Sequence, residues 1–276
     1  MDFSMNATWS RSVELVRDNF QLLAVIGGLF LLLPTMAGYL LIPDFQALVD
    51  PSTDADASEA LMAELAGPLS VLLIVAIVLN FAGYATMVAL MGRARPTVGT
   101  ALKTGFAAVP STIGILILFV IAYMIGSIAV IAPVSLLASL GGVPVLSVIG
   151  AIVVVVLMIW LMARFSLSLP ALVLGHSLNP AKAMAHSFRL TRPRQWAITL
   201  FWVVIFAVYL LVSLLVTGLF GVVAALMGTG TAAMALLGLV NGATAMAVGI
   251  LVSAIAVAMF THLAGPDAEQ IERTFD

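Results

Sequence analysis

The chain has 276 residues, of which 63% are hydrophobic and only 9% are charged, and its mean hydropathy is +1.20. Soluble domains carry roughly a quarter charged residues, so this composition excludes a soluble globular protein. The net charge of −2 leaves no basic surplus for nucleic acid, and the lack of cysteine excludes disulfides, thiol catalysis and thiolate metal sites.

Six stretches are long and apolar enough to cross a bilayer, which requires about 20 predominantly apolar residues. In chain order they lie at residues 20–42, 69–91, within 106–140, 143–164, 196–227 and 231–263. The fourth has an alternative end at Leu174. None of these runs alternates polar and apolar residues, and an open sheet edge is unstable in lipid. The sequence therefore predicts an all-α, polytopic membrane protein with a single integral membrane domain over residues 1–276.

The basic residues predict the orientation of these helices, because Lys and Arg near membrane crossings remain cytoplasmic. No Lys or Arg occurs between Arg17 and Arg93, between Lys103 and Arg164, or between Arg194 and Arg273. The acidic stretch at 43–67 is predicted to be the only long outer loop, either solvated or loosely binding divalent cations. Tight turns near residues 141 and 229 predict helix hairpins. We expect both termini, including the tail at 264–276, to be cytoplasmic in a bacterial inner membrane.

Each of the three predicted hairpins is preceded by a short segment with apolar residues at helical spacing. These stripes are Trp9, Val13, Val16 and Phe20 in the N-terminal segment 1–19, then Val98, Ala101, Leu102 and Phe106, then Ala181, Met184, Ala185 and Phe188. Charged residues lie on the other faces, as in helices that lie along an anionic leaflet. The segments are therefore predicted to be cytoplasmic amphipathic interfacial helices, with plain loops or helix extensions as the alternative.

The third segment begins at Asn179-Pro180, which is typical of a helix start, and basic residues surround it. The predicted contacts with anionic lipid headgroups are Arg164, Lys182, Arg189, Arg192 and Arg194. Arg164 lies near the inner end of the fourth span. A charge there is a functional candidate, but it has two structural alternatives: the side chain reaches the interface, or it pairs with carbonyls at a helix end.

Polar residues within the spans, namely Asn80, Tyr84, Thr86, Tyr123, Asn241 and Thr244, are predicted to form hydrogen bonds between helices, with a solute path as the alternative. Gly238, Gly242 and Gly249 share one face of the sixth span and predict close helix packing, either within the monomer or at a dimer face.

Catalytic and metal-binding patterns are missing from the sequence. His176, His186 and His262 share no metal-ligand spacing, and neither a nucleophile elbow nor a phosphate-binding loop is present. Acids are also absent from the spans, which argues against proton- or sodium-coupled transport. We therefore expect a protein that is not an enzyme, with no metal and no cofactor.

A family resemblance covers the end of the fourth span and the segment after it. Arg164 is followed by a Pro-Ala-hydrophobic run at 170–174, and the segment 181–191 contains a Ser, an aromatic residue, Leu and Thr. This pattern resembles the membrane domain found in front of some glycerophosphoryl diester phosphodiesterases and the related small YciC-like inner-membrane proteins. The family often has Glu where this chain has Gly175. The soluble phosphodiesterase domain is not part of this sequence, so the resemblance implies a membrane module without that activity.

The leading functional hypothesis is an integral inner-membrane protein with a structural, regulatory or lipid-associated role in envelope homeostasis. Its expected partners are membrane lipids, with a homo-oligomer or a membrane-protein partner as further alternatives, and no nucleic acid. The alternative function is a transporter or exporter of a small or lipid-like solute. That hypothesis depends on Pro110, Pro133, Pro170, Gly27 and Gly28 interrupting helices around a site.

Overall fold

A computed structural model describes residues 4–41, 56, 68–92, 96–141, 145–175, 178–228 and 230–265. Over these ranges the backbone is helical, and no strand occurs in them. Six helices are long and apolar enough to cross a membrane. The chain is therefore an all-α, multi-pass integral membrane protein, as its sequence predicts.

The helices are numbered here in chain order. They are α1 (Met5–Gly27), α2 (Leu33–Leu41), α3 (Pro68–Met91), α4 (Val98–Gly141), α5 (Val145–Phe165), α6 (Ser168–Leu174), α7 (Pro180–Thr191), α8 (Gln195–Met227) and α9 (Thr231–Ala264). A π-helical segment, Gly28–Leu32, joins α1 to α2, and a 3-10 turn, Arg192–Arg194, joins α7 to α8.

The π-helical segment lies directly before Pro34. Proline has no backbone N–H, and its ring clashes with the carbonyl four residues earlier. The backbone N–H of Leu33 donates to the carbonyl of Gly28, five residues back, and this widens the helix at that point. The first span is therefore one continuous helical rod, in which Gly27 and Gly28 do not interrupt the chain.

Two prolines that could have interrupted the third span do not. Pro110 and Pro133 both lie inside α4, which continues for 44 residues. At about 1.5 Å per residue this helix is about 66 Å long, more than twice the roughly 30 Å hydrocarbon thickness. The chain instead breaks before Pro170, between α5 and α6. The fourth apolar stretch nevertheless runs from Val148 to Leu174 with this break inside it, which agrees with the alternative end at Leu174.

The first two predicted interfacial segments are extensions of the spans that follow them. Met5 to Gly27 is a single helix, and α4 begins at Val98 without a boundary near Phe106. Within α1, Trp9, Val13 and Phe20 are exposed, whereas Thr8, Ser12 and Leu15 are buried. The apolar stripe of this segment therefore points away from the protein. The third segment, α7, is continued by the 3-10 turn Arg192–Arg194 into α8, so Pro180–Met227 forms one helical stretch.

Contacts divide the chain into two compact units. The first consists of Met1–Arg11, Pro110–Phe206 and Ala256–Asp276. In this unit α4 packs against α5 through glycines: a Cβ at Gly126 would lie 2.7 Å from Leu157, and one at Gly150 would lie 2.8 Å from Val134. As the chain advances along α4 it retreats along α5, which is the order of contacts between two antiparallel helices.

The second unit consists of Ser12–Val109 and Ala207–Ile255. Here the π-helical segment packs against α3 and α9. Gly83 of α3 lies so close to Phe30 that a Cβ would come within 2.5 Å of its side chain. At the other end of the first span, Tyr39 forms a small buried cluster with Ala224 of α8 and with Ala233 and Leu237 of α9.

The six spans differ in how much of their apolar surface the protein itself covers. Of the 18 most apolar consecutive residues in α9, 56% are buried. Of the corresponding 18 residues in the Pro180–Met227 stretch, none is buried. Leu214, Leu219 and Leu226 of α8 are all well exposed. Since an apolar surface of this extent is not stable in water, α8 has the surface of a lipid-facing helix and α9 that of a central one.

Candidate functional site

The predicted headgroup residues lie at the end of α5, on α7 and in the 3-10 turn after α7. The hydroxyl of Ser166 donates to the carbonyl of Ala163 at 2.9 Å, directly after the last turns of α5. After α6, the side chain of Asn179 accepts a hydrogen bond of 3.1 Å from the backbone N–H of Lys182, with Pro180 in the first turn of α7. The sequence prediction of this helix start is therefore confirmed at the atomic level.

Two helices of the first unit, α4 and α9, contact α7. At its N-terminal end the hydroxyl of Ser111 in α4 donates to the carbonyl of Leu178 at 2.5 Å, and Gly114 lies against the Pro180 ring. Midway along α7, the ring of His186 lies 5.9 Å from that of Phe260. The helix is thus packed onto the protein along one side only.

The buried face of α7 differs from the predicted apolar stripe. Its buried residues are Ala183, Met184, Ser187 and Thr191, whereas Ala181 and Ala185 are exposed. Ser187 and Thr191 are buried beside the end of α5, where the hydroxyl of Ser187 donates to the carbonyl of Arg164. The predicted apolar stripe, which was expected to face the lipid leaflet, stays a prediction.

The opposite face of α7 is basic and accessible. Lys182, Arg189 and Arg192 are exposed, and the next helix begins with Trp196, whose side chain is 71% exposed. Successive spacings of seven, three and four residues place these side chains along one side of the helical stretch. Arg194, in the 3-10 turn, is half-buried. We call the set Lys182, Arg189, Arg192 and Trp196 the basic face.

Arg164 is not part of the basic face, although the sequence grouped it with those residues. Its side chain is only 5% exposed. The guanidinium carbon lies 4.4 Å from the centre of the Phe188 ring and 5.1 Å from that of Trp160. Arg164 is thus separated from the exposed basic residues, because aromatic rings lie over its charge, and its assignment as a direct headgroup contact stays a prediction.

The polar contacts of Arg164 are made with helix ends. Its Nη1 donates to the carbonyl of Phe188 at 3.5 Å, and its Nη2 donates to the side-chain oxygen of Gln195 at the start of α8. The backbone carbonyl of Arg164 in turn accepts a hydrogen bond of 2.7 Å from the hydroxyl of Ser187. Of the alternatives for this residue, the pairing with helix-end carbonyls is the one that the structure contains.

Acidic side chains are far from this region in sequence, because no Asp or Glu occurs between Glu64 and Asp267. Among the residues that the structure describes, no carboxylate pairs with Arg164, and its Nε is buried without a hydrogen-bond partner. The like charge of Arg192 also acts on Arg164. Within the described part of the chain, the charge of Arg164 is thus not neutralised by a carboxylate.

Most polar residues within the spans bond to their own helix and not across helices. The side-chain amides of Asn80 and Asn241 donate to carbonyls four residues earlier, at 2.8 and 2.9 Å, and the hydroxyl of Thr244 does the same at 2.8 Å. Thr86 is buried without a partner for its hydroxyl in the described part of the chain. The prediction of interhelical hydrogen bonds is wrong for Asn80, Asn241 and Thr244, because the i−4 carbonyl is within reach of their short side chains.

The predicted packing glycines lie at helix contacts inside the second unit. A Cβ at Gly242 would lie 2.8 Å from the carbonyl oxygen of Leu32, and one at Gly238 would lie 3.2 Å from Cα of Met36. Gly249 lies against Leu31 and Tyr84. The face of α9 that carries these three glycines is therefore covered by other parts of the same chain.

Several sequence predictions fall outside the described residues: the loop at 43–67 apart from Asp56, His176, Arg93, Arg95 and most of the tail at 264–276. Within the described ranges no three His, Asp or Glu side chains lie together as a metal site would require.

Sequence reasoning missed the aromatic and hydroxyl groups around Arg164. Trp160 lies four residues before Arg164 on a helix, and this spacing alone predicts that the two side chains share a face. Phe188, Ser187 and Gln195 come from other helices, and no spacing in the sequence indicates them. Comparison with protein-family models, with curated proteins and with solved structures finds no match to this chain.

Proposed function

We propose that this protein is a non-enzymatic integral membrane protein whose basic face, on α7 and the start of α8, binds the headgroups of anionic phospholipids. The observation that carries the proposal is the exposure of Lys182, Arg189 and Arg192 in a stretch of sequence without acids. A phosphate group supplies the negative charge that complements such a surface.

The composition of the basic face supports a lipid surface as the source of that phosphate. Trp196 follows the basic residues directly, and Trp is enriched where membrane helices meet the headgroup region. Basic residues next to a membrane helix attract an anionic leaflet by about 1 kcal/mol each. Together these side chains combine an apolar anchor with positive charges on one surface.

The positive charges also support an orientation. Since basic residues near crossings are retained on the cytoplasmic side, α7 and both termini lie in the cytoplasm of a bacterium, and the spans form three hairpins across its inner membrane. The resemblance to membrane modules of envelope proteins agrees with a structural or regulatory role in lipid organisation.

The alternative of a transporter has less support from the geometry. Pro110 and Pro133 lie within an unbroken helix, and the amides of Asn80 and Asn241 are engaged by their own helices. A path for a solute at mid-membrane depth requires polar groups that are free to contact it.

Native mass spectrometry of the gently solubilised protein tests the proposal, because it reports mass and retained lipid together. We expect phosphatidylglycerol or cardiolipin to be retained in preference to phosphatidylethanolamine, and this preference to be lost when Lys182, Arg189 and Arg192 are all replaced by Glu. Lys103→Glu, an exposed charge reversal on α4, is the control and should keep the preference. Equal lipid retention by the triple variant and the parent protein would refute the proposed contact.

A further inference from the structure

The C-terminal ends of two helices meet at Arg164. The last four carbonyls of a helix have no partner within it, and the carbonyl of Arg164 is among those of α5. It accepts a hydrogen bond of 2.7 Å from the hydroxyl of Ser187, and the hydroxyl of Thr191, which donates to the carbonyl of Ser187 at 2.9 Å, lies 3.4 Å from it. These hydroxyls belong to α7, so α7 caps the end of α5.

The capping also runs in the other direction. The carbonyl of Phe188 is among the last four of α7, and it accepts hydrogen bonds from Arg164 Nη1 and from the backbone N–H of Arg192. The side chain of α5's Arg164 therefore caps the end of α7, while the side chains of α7 cap the carbonyl of the same residue. The exchange joins the two helix ends at a single position.

This arrangement explains how a cation is buried without a carboxylate. The C-terminal end of a helix carries the equivalent of about half a negative charge. Arg164 lies in the last turn of α5, so this end offsets part of the guanidinium charge. The faces of Trp160 and Phe188 add cation–π attraction, and the side chain of Gln195 accepts one further N–H.

We propose that Arg164 is the positioning residue of α7. Its charge and its carbonyl hold the buried face of that helix against α5, and the basic face consequently points outward. The use of this orientation in lipid binding rests on the proposed function, but the attachment of α7 to α5 does not require an anionic lipid and is measurable without one.

Thiol accessibility on the buried face of α7 tests this role. The chain has no cysteine, so Ala183→Cys, at a buried position, introduces a single reporter. The protein is reconstituted in nanodiscs of uncharged phosphatidylcholine and labelled with a water-soluble maleimide. We expect Arg164→Gln to increase the labelling rate about 10-fold, because a charge-assisted hydrogen bond contributes roughly 1.5–3 kcal/mol. Arg164→Lys, which keeps the charge, should give a labelling rate between those of the parent protein and Arg164→Gln.

The matched control is Arg189→Gln, the same substitution at an exposed position of the same helix, which should leave the rate at Cys-substituted Ala183 unchanged. Ser187→Ala is the milder probe in case Arg164→Gln fails to fold, and we expect it to raise the rate about fivefold through the loss of one buried hydrogen bond. A second reporter, Ala85→Cys on α3, monitors opening elsewhere in the chain.

Two outcomes would overturn the inference. One is an unchanged labelling rate at Ala183→Cys in both the Arg164→Gln and the Ser187→Ala proteins. The other is an equal increase at Ala183→Cys and Ala85→Cys in the Ser187→Ala protein, since the region would then support the whole fold and not α7 in particular. Neither outcome depends on anionic lipid, so a failure here is distinct from a failure of the headgroup proposal.

Discussion

Two regions of this protein hold helices together by different physical means. Where α9 meets the first span, glycines let the backbones approach, and a Cβ at Gly242 would lie 2.8 Å from the carbonyl of Leu32. Where α7 meets α5, a buried cation and two hydroxyls connect the helix ends. In lipid, hydrophobicity does not favour one helix contact over another. Close packing and polar capping are two alternatives, and these two regions of the chain illustrate one each.

The difference between the regions concerns directionality. Glycine packing is steric and tolerates no added atom, but it depends little on the chemistry of the partner. The contacts of Arg164 depend on charge, donor geometry and ring faces together. We therefore expect substitutions at the first region to act through size and those at the second to act through chemistry.

The largest effect is expected from Gly242→Ala. The added methyl group would contact a backbone oxygen of Leu32, which cannot rotate away as a side chain can, so the helices must separate. We expect a loss of about 1–3 kcal/mol of stability, measured by thermal or denaturant unfolding in mild detergent. Gly218→Ala is the matched control because nothing lies within 4 Å of its Cβ position. If both variants lose the same stability, the steric account of α9 is wrong.

The second-largest loss of stability is expected from Ser187→Ala. Its hydroxyl is buried and donates to the carbonyl of Arg164 at 2.7 Å, and its loss leaves that carbonyl with only the longer contact from Thr191. We expect about 1–2 kcal/mol of destabilisation in the same unfolding measurement. Ser135→Ala, an exposed serine that bonds only within its own helix, should change stability by less than about 0.5 kcal/mol. Equal effects would remove the distinction between the capped helix end and an ordinary surface serine.

A smaller effect is expected from Pro34→Ala. Alanine restores a backbone N–H at position 34 and favours a regular α-helix through the π-helical segment. That change would rotate Phe30 and Leu31 relative to α3 and α9, at a cost of about 1 kcal/mol. Pro133→Ala on exposed α4 is the control. An unchanged stability together with unchanged contacts of Phe30, read from cysteine crosslinking between Phe30 and Gly83 positions, would show that Pro34 does not cause the widening.

The smallest effect on stability is expected from the basic face. Lys182→Gln and Arg189→Gln remove exposed charges, so each should alter the free energy of unfolding by less than about 0.5 kcal/mol. Their effect should instead appear in the retention of anionic lipid. A large loss of stability in neutral lipid would assign these side chains to the fold and not to a lipid surface.

Local features of the sequence predicted much of the fold. Asn179 and Pro180 indicated the start of α7 because a cap needs only the residues beside it. The ends of α8 and α9 lie within one residue of their predictions, since a change from apolar to turn residues marks them. The prediction for α4 differed at its N-terminal end, because Val98 to Phe106 has the same helical periodicity as the span behind it.

The candidate site was predicted only in part. Lys182, Arg189 and Arg192 were expected on an accessible side, and their exposure agrees with that expectation. Arg164 was assigned to the same set because its type and its place at the end of a span are those of a headgroup contact. Its burial depends on Phe188, Ser187 and Gln195, which lie 23 or more residues further along the chain.

By itself, the sequence determined that this is an all-α membrane protein with six apolar spans, because hydrophobic length and the lack of charge are local properties that the bilayer selects directly. It also determined where the positive charge lies, and that no acid is near it in the chain. Only the tertiary structure decided which of those charged side chains are exposed and which one is buried. That choice depends on side chains brought together from separate helices, and their distances are not encoded in any local spacing.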